Sequence, residues 1–255
     1  MARLAFFTDL DGTLLDHESY DWSPAAGALA RLKAAGLPLV LATSKTAAEV
    51  APLREALGFA HCPAVVENGA GILPAGAETV DGADHARLVE ALEAAPGREN
   101  FRNFHAMSLG ELAEATGLPE EGAARARQRQ FSEPGLWEGP EEGREPFLAA
   151  LAASGVSARA GGRFLTLSFG RTKAQAMAEL APDLGDTIVA LGDAPNDAEM
   201  LEAADIGIII ANPAHPPLPL LAGEGAGRIT RSSLAGPDGW ADEVSRILDL
   251  HEIPD

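Results

Sequence analysis

A chain of 255 residues is long enough for one large α/β domain or for a core with a smaller inserted unit. Its 38 acidic against 19 basic residues give a formal charge of −19, which excludes general nucleic-acid binding, because backbone phosphates are captured by clustered Lys and Arg. No stretch approaches the roughly 20 apolar residues that span a bilayer, the N-terminal apolar run is too short for a signal-peptide core, and the single Cys62 can form neither an intramolecular disulfide nor a thiolate metal cluster. The expectation is a cytoplasmic protein with no nucleic-acid or membrane partner; oligomeric state is not legible.

Residues 3–8 form a short apolar run that ends in Asp9-Leu10-Asp11-Gly12, as a buried parallel strand does when it delivers polar groups at its carboxyl end. Ser23 and Pro24 read as an N-cap and first helical position, opening a helix that Gly36 closes. The run Leu37 to Ala42 ends in Thr43-Ser44-Lys45, and Thr46-Ala47-Ala48-Glu49 has capping-box spacing for a helix to about Leu57. A third run, Ala64-Val65-Val66, ends in Glu67-Asn68-Gly69. This alternation predicts an α/β fold with a doubly wound, parallel-sheet (Rossmann-like) core.

From about Asp81 the pattern becomes helical, with Ser108-Leu109-Gly110-Glu111 as another capping box and an Arg-rich stretch at Arg125, Arg127 and Arg129. Strand-like pieces lie at Gln130 to Ser132, Val156 to Ala160 and Phe164 to Ser168, and Gly135 to Gly143 reads as a flexible turn region. Residues 81–169 therefore read as an inserted α+β unit within a core of residues 1–80 and 170–255. A helix from about Thr172 and the run Thr187 to Leu191 resume the alternation, ending in Gly192-Asp193-Ala194-Pro195-Asn196-Asp197. A buried strand at Ile206 to Ile210, a loop with Gly223 to Gly227, a short strand near Ile229 and a helix through Leu248 follow.

Asp9, Asp11, Asp193 and Asp197 stand at predicted strand ends, which would bring them to face one another at one sheet edge, where open α/β folds bind ligands. Four carboxylates repel unless a cation lies among them, and an all-oxygen set without His or Cys favours a hard ion such as Mg²⁺. At this point the residues carry a resemblance. Asp9-Leu10-Asp11-Gly12-Thr13-Leu14-Leu15-Asp16 resembles the first motif of the haloacid-dehalogenase superfamily of phosphatases, Thr43 and Ser44 the second, Lys173 the third, and Gly192-Asp193 with Asn196-Asp197 the fourth.

The resemblance implies that Asp9 attacks phosphorus to form an aspartyl-phosphate and that Asp11 protonates the leaving oxygen, then activates water. It implies Mg²⁺ held by Asp9, the Asp11 carbonyl and Asp193, with Asn196 and Asp197 in support, and a phosphate pocket of Gly12, Thr43 or Ser44, and Lys173. The 81–169 insertion resembles the α/β cap of the sugar-phosphate branch. Thr43-Ser44-Lys45-Thr46 with Glu67-Asn68-Gly69, Gln130-Phe131-Ser132-Glu133-Pro134 and Gly161-Gly162-Arg163-Phe164 resemble the mannosyl-3-phosphoglycerate phosphatases. In that family's terms Lys45, Glu67, Asn68, Arg129 and Arg163 bind the sugar or glycerate of a small phosphorylated substrate, with Arg forks suited to a carboxylate. Ala194 and Arg171-Thr172-Lys173 depart from the family pattern, which bears on the subfamily more than on the reaction. A phosphatase for a glucosyl analogue or hexose phosphate, a phosphomannomutase, and a sugar-phosphate sensor without turnover are the competing readings.

Overall fold

The first apolar run forms β1, Leu4–Thr8, buried along its whole length as a parallel strand covered on both faces must be. The structure, a computed structural model, describes residues 3–82, 84–161 and 163–254. A 3-10 turn at Ser23–Ala25 leads into α1, Ala26–Ala34. Ser23 does not cap this helix; its hydroxyl donates to Asp21 Oδ2 at 2.6 Å, so only the Pro24 half of the expected start signal operates. β2, Leu39–Ala42, is followed by α2, Ala47–Leu57. The expected capping box opens α2: Thr46 N–H donates to Glu49 Oε2 at 2.9 Å and Glu49 N–H to Thr46 Oγ1 at 3.3 Å.

β3, Ala64–Val66, turns back into an antiparallel partner, β4, Gly71–Leu73, that nothing in the sequence announces. The turn between them is unusual, since Glu67, Asn68 and Gly69 have φ of 51°, 60° and 95° in succession. Such left-handed geometry at non-glycine residues is sparsely populated and persists only where surroundings over-determine it. Here Gly69 lies against the main chain at Thr172, where a Cβ would come within 2.1 Å of the carbonyl carbon.

The middle of the chain contains α3, Asp84–Glu93, β5, Phe101–Asn103, α4, Leu109–Thr116, and α5, Glu120–Ala126. Then come β6, Ser132–Trp137, α6, Glu141–Ala153, β7, Ser157–Gly161, and β8, Phe164–Ser168. The strands form an antiparallel sheet in the order β5-β6-β8-β7. Leu88 and Leu92 of α3 and Phe147 and Leu151 of α6 pack on Phe101, Leu165 and Leu167. Two expectations are corrected. β6 starts where the strand was expected to stop and occupies Gly135 to Trp137, read from sequence as flexible turn. The physical reason is that Gly135 is needed inside the sheet, because a Cβ there would meet Phe101 Cζ at 2.6 Å. β5 is likewise a strand within a stretch expected to be helical. The Ser108–Glu111 capping box is present at α4.

The chain then continues through α7, Lys173–Leu184, β9, Thr187–Gly192, α8, Ala198–Ala203, β10, Ile206–Ala211, α9, Ala222–Gly225, β11, Ile229–Ala235, and α10, Gly236–Leu250. α9 is one short turn of helix where a loop was expected. The large sheet has the order β11-β10-β9-β1-β2-β3-β4 and is parallel except for the β3–β4 pair, the doubly wound α/β fold expected. Ala176 and Met177 of α7 and Met200 and Leu201 of α8 pack with Phe7, Val40 and Ala190 on one of its faces.

Packing divides the chain into two units. One comprises Met1–Ser44, Leu53–Ala77 and Thr172–Asp255; the other comprises Lys45–Pro52 and Glu78–Arg171.

Candidate active site

Strand order reverses about β1, whose neighbours β2 and β9 connect away on opposite sides, and it is at such a switch point that polar residues collect. Thr8 pairs with Leu191, so Asp9 follows directly beside Gly192 and Asp193. Asp9 N–H donates to the Leu191 carbonyl at 2.9 Å. One oxygen each of Asp9, Asp193 and Asp197 lie within 4.8 Å of one another, and all three residues are buried. The Asp11 carboxylate is not in that group; Asp11 is partly buried in a tight turn where Gly12 N–H donates to the Leu15 carbonyl at 2.9 Å.

Lys173 reaches the cluster from the first position of α7. Thr172 caps that helix, accepting from Gln175 N–H at 3.3 Å and donating its own N–H to Gln175 Oε1 at 3.1 Å, which fixes where Lys173 emerges. Its Nζ, 1% exposed, donates to Asp9 Oδ1 at 2.6 Å and to Asp197 Oδ1 at 2.7 Å. The other Asp197 oxygen accepts from the N–H groups of Asp193 at 3.2 Å and Ala194 at 3.1 Å. Asp197 thus ties the lysine to the turn that carries Asp193.

The charged groups of the cluster act strongly on one another. Burial alone would lower the Lys173 ammonium's pKa, but Asp197 and Asp9 more than offset it and hold the group protonated, above its usual range. Burial pushes Asp193 above the usual carboxylate range, the negative charge of Asp9 adds to this, and hydrogen bonds from Asn212 and Thr13 pull the other way. Burial also raises Asp197, against the pull of Lys173. One ammonium faces three carboxylates, so the cluster is short of positive charge. Its all-oxygen, convergent donor set fits a hard divalent cation such as Mg²⁺.

Thr43, expected to donate to phosphate, is buried at the end of β2; its N–H donates to the Val65 carbonyl at 3.0 Å and its carbonyl accepts from Asn68 N–H at 2.8 Å. Ser44 is exposed. Glu67 is buried within the left-handed turn, and Asn68 Oδ1 accepts from Asn196 Nδ2 at 2.9 Å, so the Asn196 amide is engaged with Asn68. The structure therefore groups Asp9, Lys173, Asp193 and Asp197 tightly, with Thr43, Asn68 and Asn196 along the same strand ends.

Lys45, Arg129 and Arg163 belong to the second unit. Arg129 is buried, its Nε donating to Ser132 Oγ at 2.9 Å. Arg163 lies with its guanidinium 5.7 Å from the Phe164 ring centroid. Ser132 pairs with Ser168 and Phe164 with Gly161, so the two arginines stand at opposite ends of β8, roughly 13 Å of strand apart. Gly162, in the same stretch as Arg163, lies outside the described residues. Glu133 is buried and accepts from Asn103 Nδ2 at 2.9 Å and His105 N–H at 3.0 Å, with His85 Nε2 at 2.6 Å. That set of partners makes it a structural joint between β6, β5 and α3.

The motifs assign no role to two residues that hold Asp193. Thr13 Oγ1 donates to Asp193 Oδ1 at 2.8 Å, and Asn212 Nδ2 donates to Asp193 Oδ2 at 2.8 Å. Thr13 sits inside the first motif, and its nearness to Asp193 follows from the β1–β9 pairing. Asn212 directly follows the apolar run of β10, a strand-end position like those of Asp9 and Asp193, and that position is the only signal that marks it.

The pattern of the haloacid dehalogenase-like hydrolases matches residues 6–100 and 166–219. Among solved structures, the fold is similar to that of a haloacid dehalogenase-like hydrolase from Bacteroides thetaiotaomicron (TM-score 0.68, 19% identity, covering 95% of this chain and 98% of that one). It is also similar to a phosphatase of the haloalkanoate enzyme superfamily from the same organism (TM-score 0.64, 20% identity, 98% and 95% covered). A subclass IIB sugar phosphatase is a third (TM-score 0.61, 16% identity, 98% and 99% covered).

Proposed function

Because this chain belongs to the haloacid dehalogenase-like hydrolases, we propose that it is a Mg²⁺-dependent phosphomonoester hydrolase that works through an aspartyl-phosphate on Asp9 and takes mannosyl-3-phosphoglycerate as substrate. The observation that carries the reaction class is the Lys173 ammonium held at 2.6 Å from Asp9 and 2.7 Å from Asp197 beside Asp193. A carboxylate nucleophile must be aimed and screened from the negative phosphoryl group it attacks, and this arrangement supports both.

In this reading Asp9 attacks phosphorus, and Asp11 gives its proton to the departing glycerate oxygen, then takes one from the water that cleaves the acyl phosphate. Lys173 and the hydroxyl of Thr43 or Ser44 hold the phosphoryl oxygens, with Gly12 beside them. Asp9, Asp193 and the Asp11 carbonyl hold the ion, and Asn196 and Asp197 support that site. When bound, the ion acts as a Lewis acid that offsets the charge of nucleophile and phosphate. The inserted segment, residues 81–169, serves as a cap over the leaving group, with Lys45, Glu67, Asn68, Arg129 and Arg163 as sugar and glycerate ligands. The three stretches that resemble mannosyl-3-phosphoglycerate phosphatases support this substrate, and the enzyme acts in the cytoplasm.

Phosphate release from mannosyl-3-phosphoglycerate, its glucosyl analogue and mannose 6-phosphate, compared as kcat/KM with Mg²⁺ present, tests the reading. The mannosyl ester is expected to lead. Preference for the hexose phosphate rejects the substrate, isomer formation in place of phosphate release points to a mutase, and no release from any ester rejects the enzyme. Asp9→Asn is expected to abolish turnover and the acid-stable phosphoryl label on the protein.

A further inference from the structure

We propose that Asn212 is a positioning residue that locks the Asp193 carboxylate in its metal-binding orientation, an inference that rests on the reading of Asp193 as a Mg²⁺ ligand. Asp193 follows the last residue of β9 and has no strand partner of its own, so its carboxylate is aimed by what its oxygens meet. Thr13 holds Oδ1 and Asn212 holds Oδ2, each at 2.8 Å. A carboxylate oxygen accepts two hydrogen bonds or ligands, so each keeps one lone pair for a cation.

The Asn212 amide is itself oriented. Its Oδ1 accepts from Ala214 N–H at 3.0 Å, which leaves the NH₂ end to face Asp193. The base of its loop is also tied down, because the Ala211 N–H donates to Ser232 Oγ at 2.9 Å, at the point where the β10–β11 register shifts. Space for the amide comes from Gly12, at φ 85°. A Cβ on Gly12 would lie 2.2 Å from Asn212 Nδ2 and 3.0 Å from Asp193 Oδ2. The glycine of the first motif therefore makes room for a side chain of the chain's own, in addition to any ligand. Three segments far apart in sequence are built around one contact.

The competing explanation is that Asn212 only closes its own loop through Ala214. Asn212→Ser separates the two, because serine keeps an oxygen for the Ala214 N–H as an ST-turn and is too short to reach Asp193. Mg²⁺ binding to substrate-free protein is measured by calorimetry for the unaltered chain, Asn212→Ser, Asn212→Ala and Asp193→Asn, each checked for folding by circular dichroism. Groups that orient a metal ligand are typically worth 10–100-fold in affinity. Asn212→Ser and Asn212→Ala are each expected to raise the Mg²⁺ Kd at least about 10-fold, and to raise the half-activating Mg²⁺ concentration in step. KM for the phosphate ester at saturating Mg²⁺ is expected to stay the same. If Asp193→Asn abolishes Mg²⁺ binding while folded Asn212→Ser binds like the unaltered chain, the positioning role is overturned and the ligand assignment stands. If Asp193→Asn binds Mg²⁺ normally, the ligand assignment itself fails and the inference with it.

Discussion

The indole N–H of Trp240 donates to the Thr8 hydroxyl at 3.0 Å, and that hydroxyl donates in turn to the Asp9 carbonyl at 2.7 Å. Trp240 and Thr8 are both fully buried, so α10 braces the main chain at Asp9 through a contact that water does not compete for. Trp240→Phe removes the donor and part of a filled volume. We expect a stability loss of about 2 kcal/mol in urea unfolding and a several-fold fall in kcat with KM unchanged. An unfolding midpoint and rate equal to those of the unaltered protein would show that the brace is idle.

Lys173 sets its ammonium against two of the three clustered carboxylates, Asp9 and Asp197. Lys173→Met leaves Asp9 and Asp197 buried without it, and breaking a buried pair from one side costs about 3–5 kcal/mol. Phosphate release should fall by about 10²–10³-fold, the range seen when a fixed donor to developing charge is removed. Lys173→Arg keeps the charge but replaces a compact ammonium with a planar fork. It should recover most of the thermal stability and little of the rate, and equal recovery of both would contradict a geometric role for Nζ.

Gly69 and Gly76 make a matched pair. Both have positive φ, 95° and 71°, yet a Cβ at Gly69 would strike the Thr172 main chain while a Cβ at Gly76 would meet nothing within 4 Å. Gly76→Ala should therefore cost only the left-handed penalty, about 1 kcal/mol. Gly69→Ala must also push the Glu67–Gly69 turn away from the start of α7 and should cost about 3 kcal/mol or more. Comparable losses in chemical denaturation would mean that the turn is free to move.

Glu224 gives a pH signature outside the site. Arg231 first, then the Leu221 N–H, pull its carboxyl from the usual 4.5 to about 2. A depressed folded-state value contributes stability that is complete above pH 4.5 and is lost as pH falls toward 2. Arg231 also donates to the Leu218 and Pro219 carbonyls, at 3.0 and 3.1 Å, so that stretch should loosen in the same window. Amide exchange at Leu221 across this range is the measurement, and Glu224→Gln should remove the pH dependence.

The parts of the fold readable in the sequence are those whose signals are local. Thr46 with Glu49 and Ser108 with Glu111 form the capping boxes their spacing implies, and the apolar runs ending in Asp9 and Gly192-Asp193 are strands that end there. Because those strands are neighbours, strand ends alone place Asp9 and Asp193 together. β4 and β5 are three residues each and exist through distant pairing, which leaves no periodicity to read. Pro134 and Gly135 carry the local chemistry of a turn, and the need to seat Phe101 against β6 overrides it. Asn212 is marked only by its place after the β10 run, and its role is hidden for a similar reason. A single amide has no spacing pattern, and its meaning lies in Asp193 and Gly12, reached only through the fold.

The pairing of β1 with β9 joins Leu4–Thr8 to a strand that begins at Thr187. At roughly 5–20 residues per second, a ribosome needs roughly 10 to 40 seconds between the two. Throughout that interval one edge of the most central strand stays bare, with Ala5, Phe6 and Phe7 along it, open to other nascent chains. Asp9 at its tip meets Lys173 and Asp193 only when the late segments arrive. A chain that stopped before β9 would keep that edge unpaired and would lack Asp193 altogether.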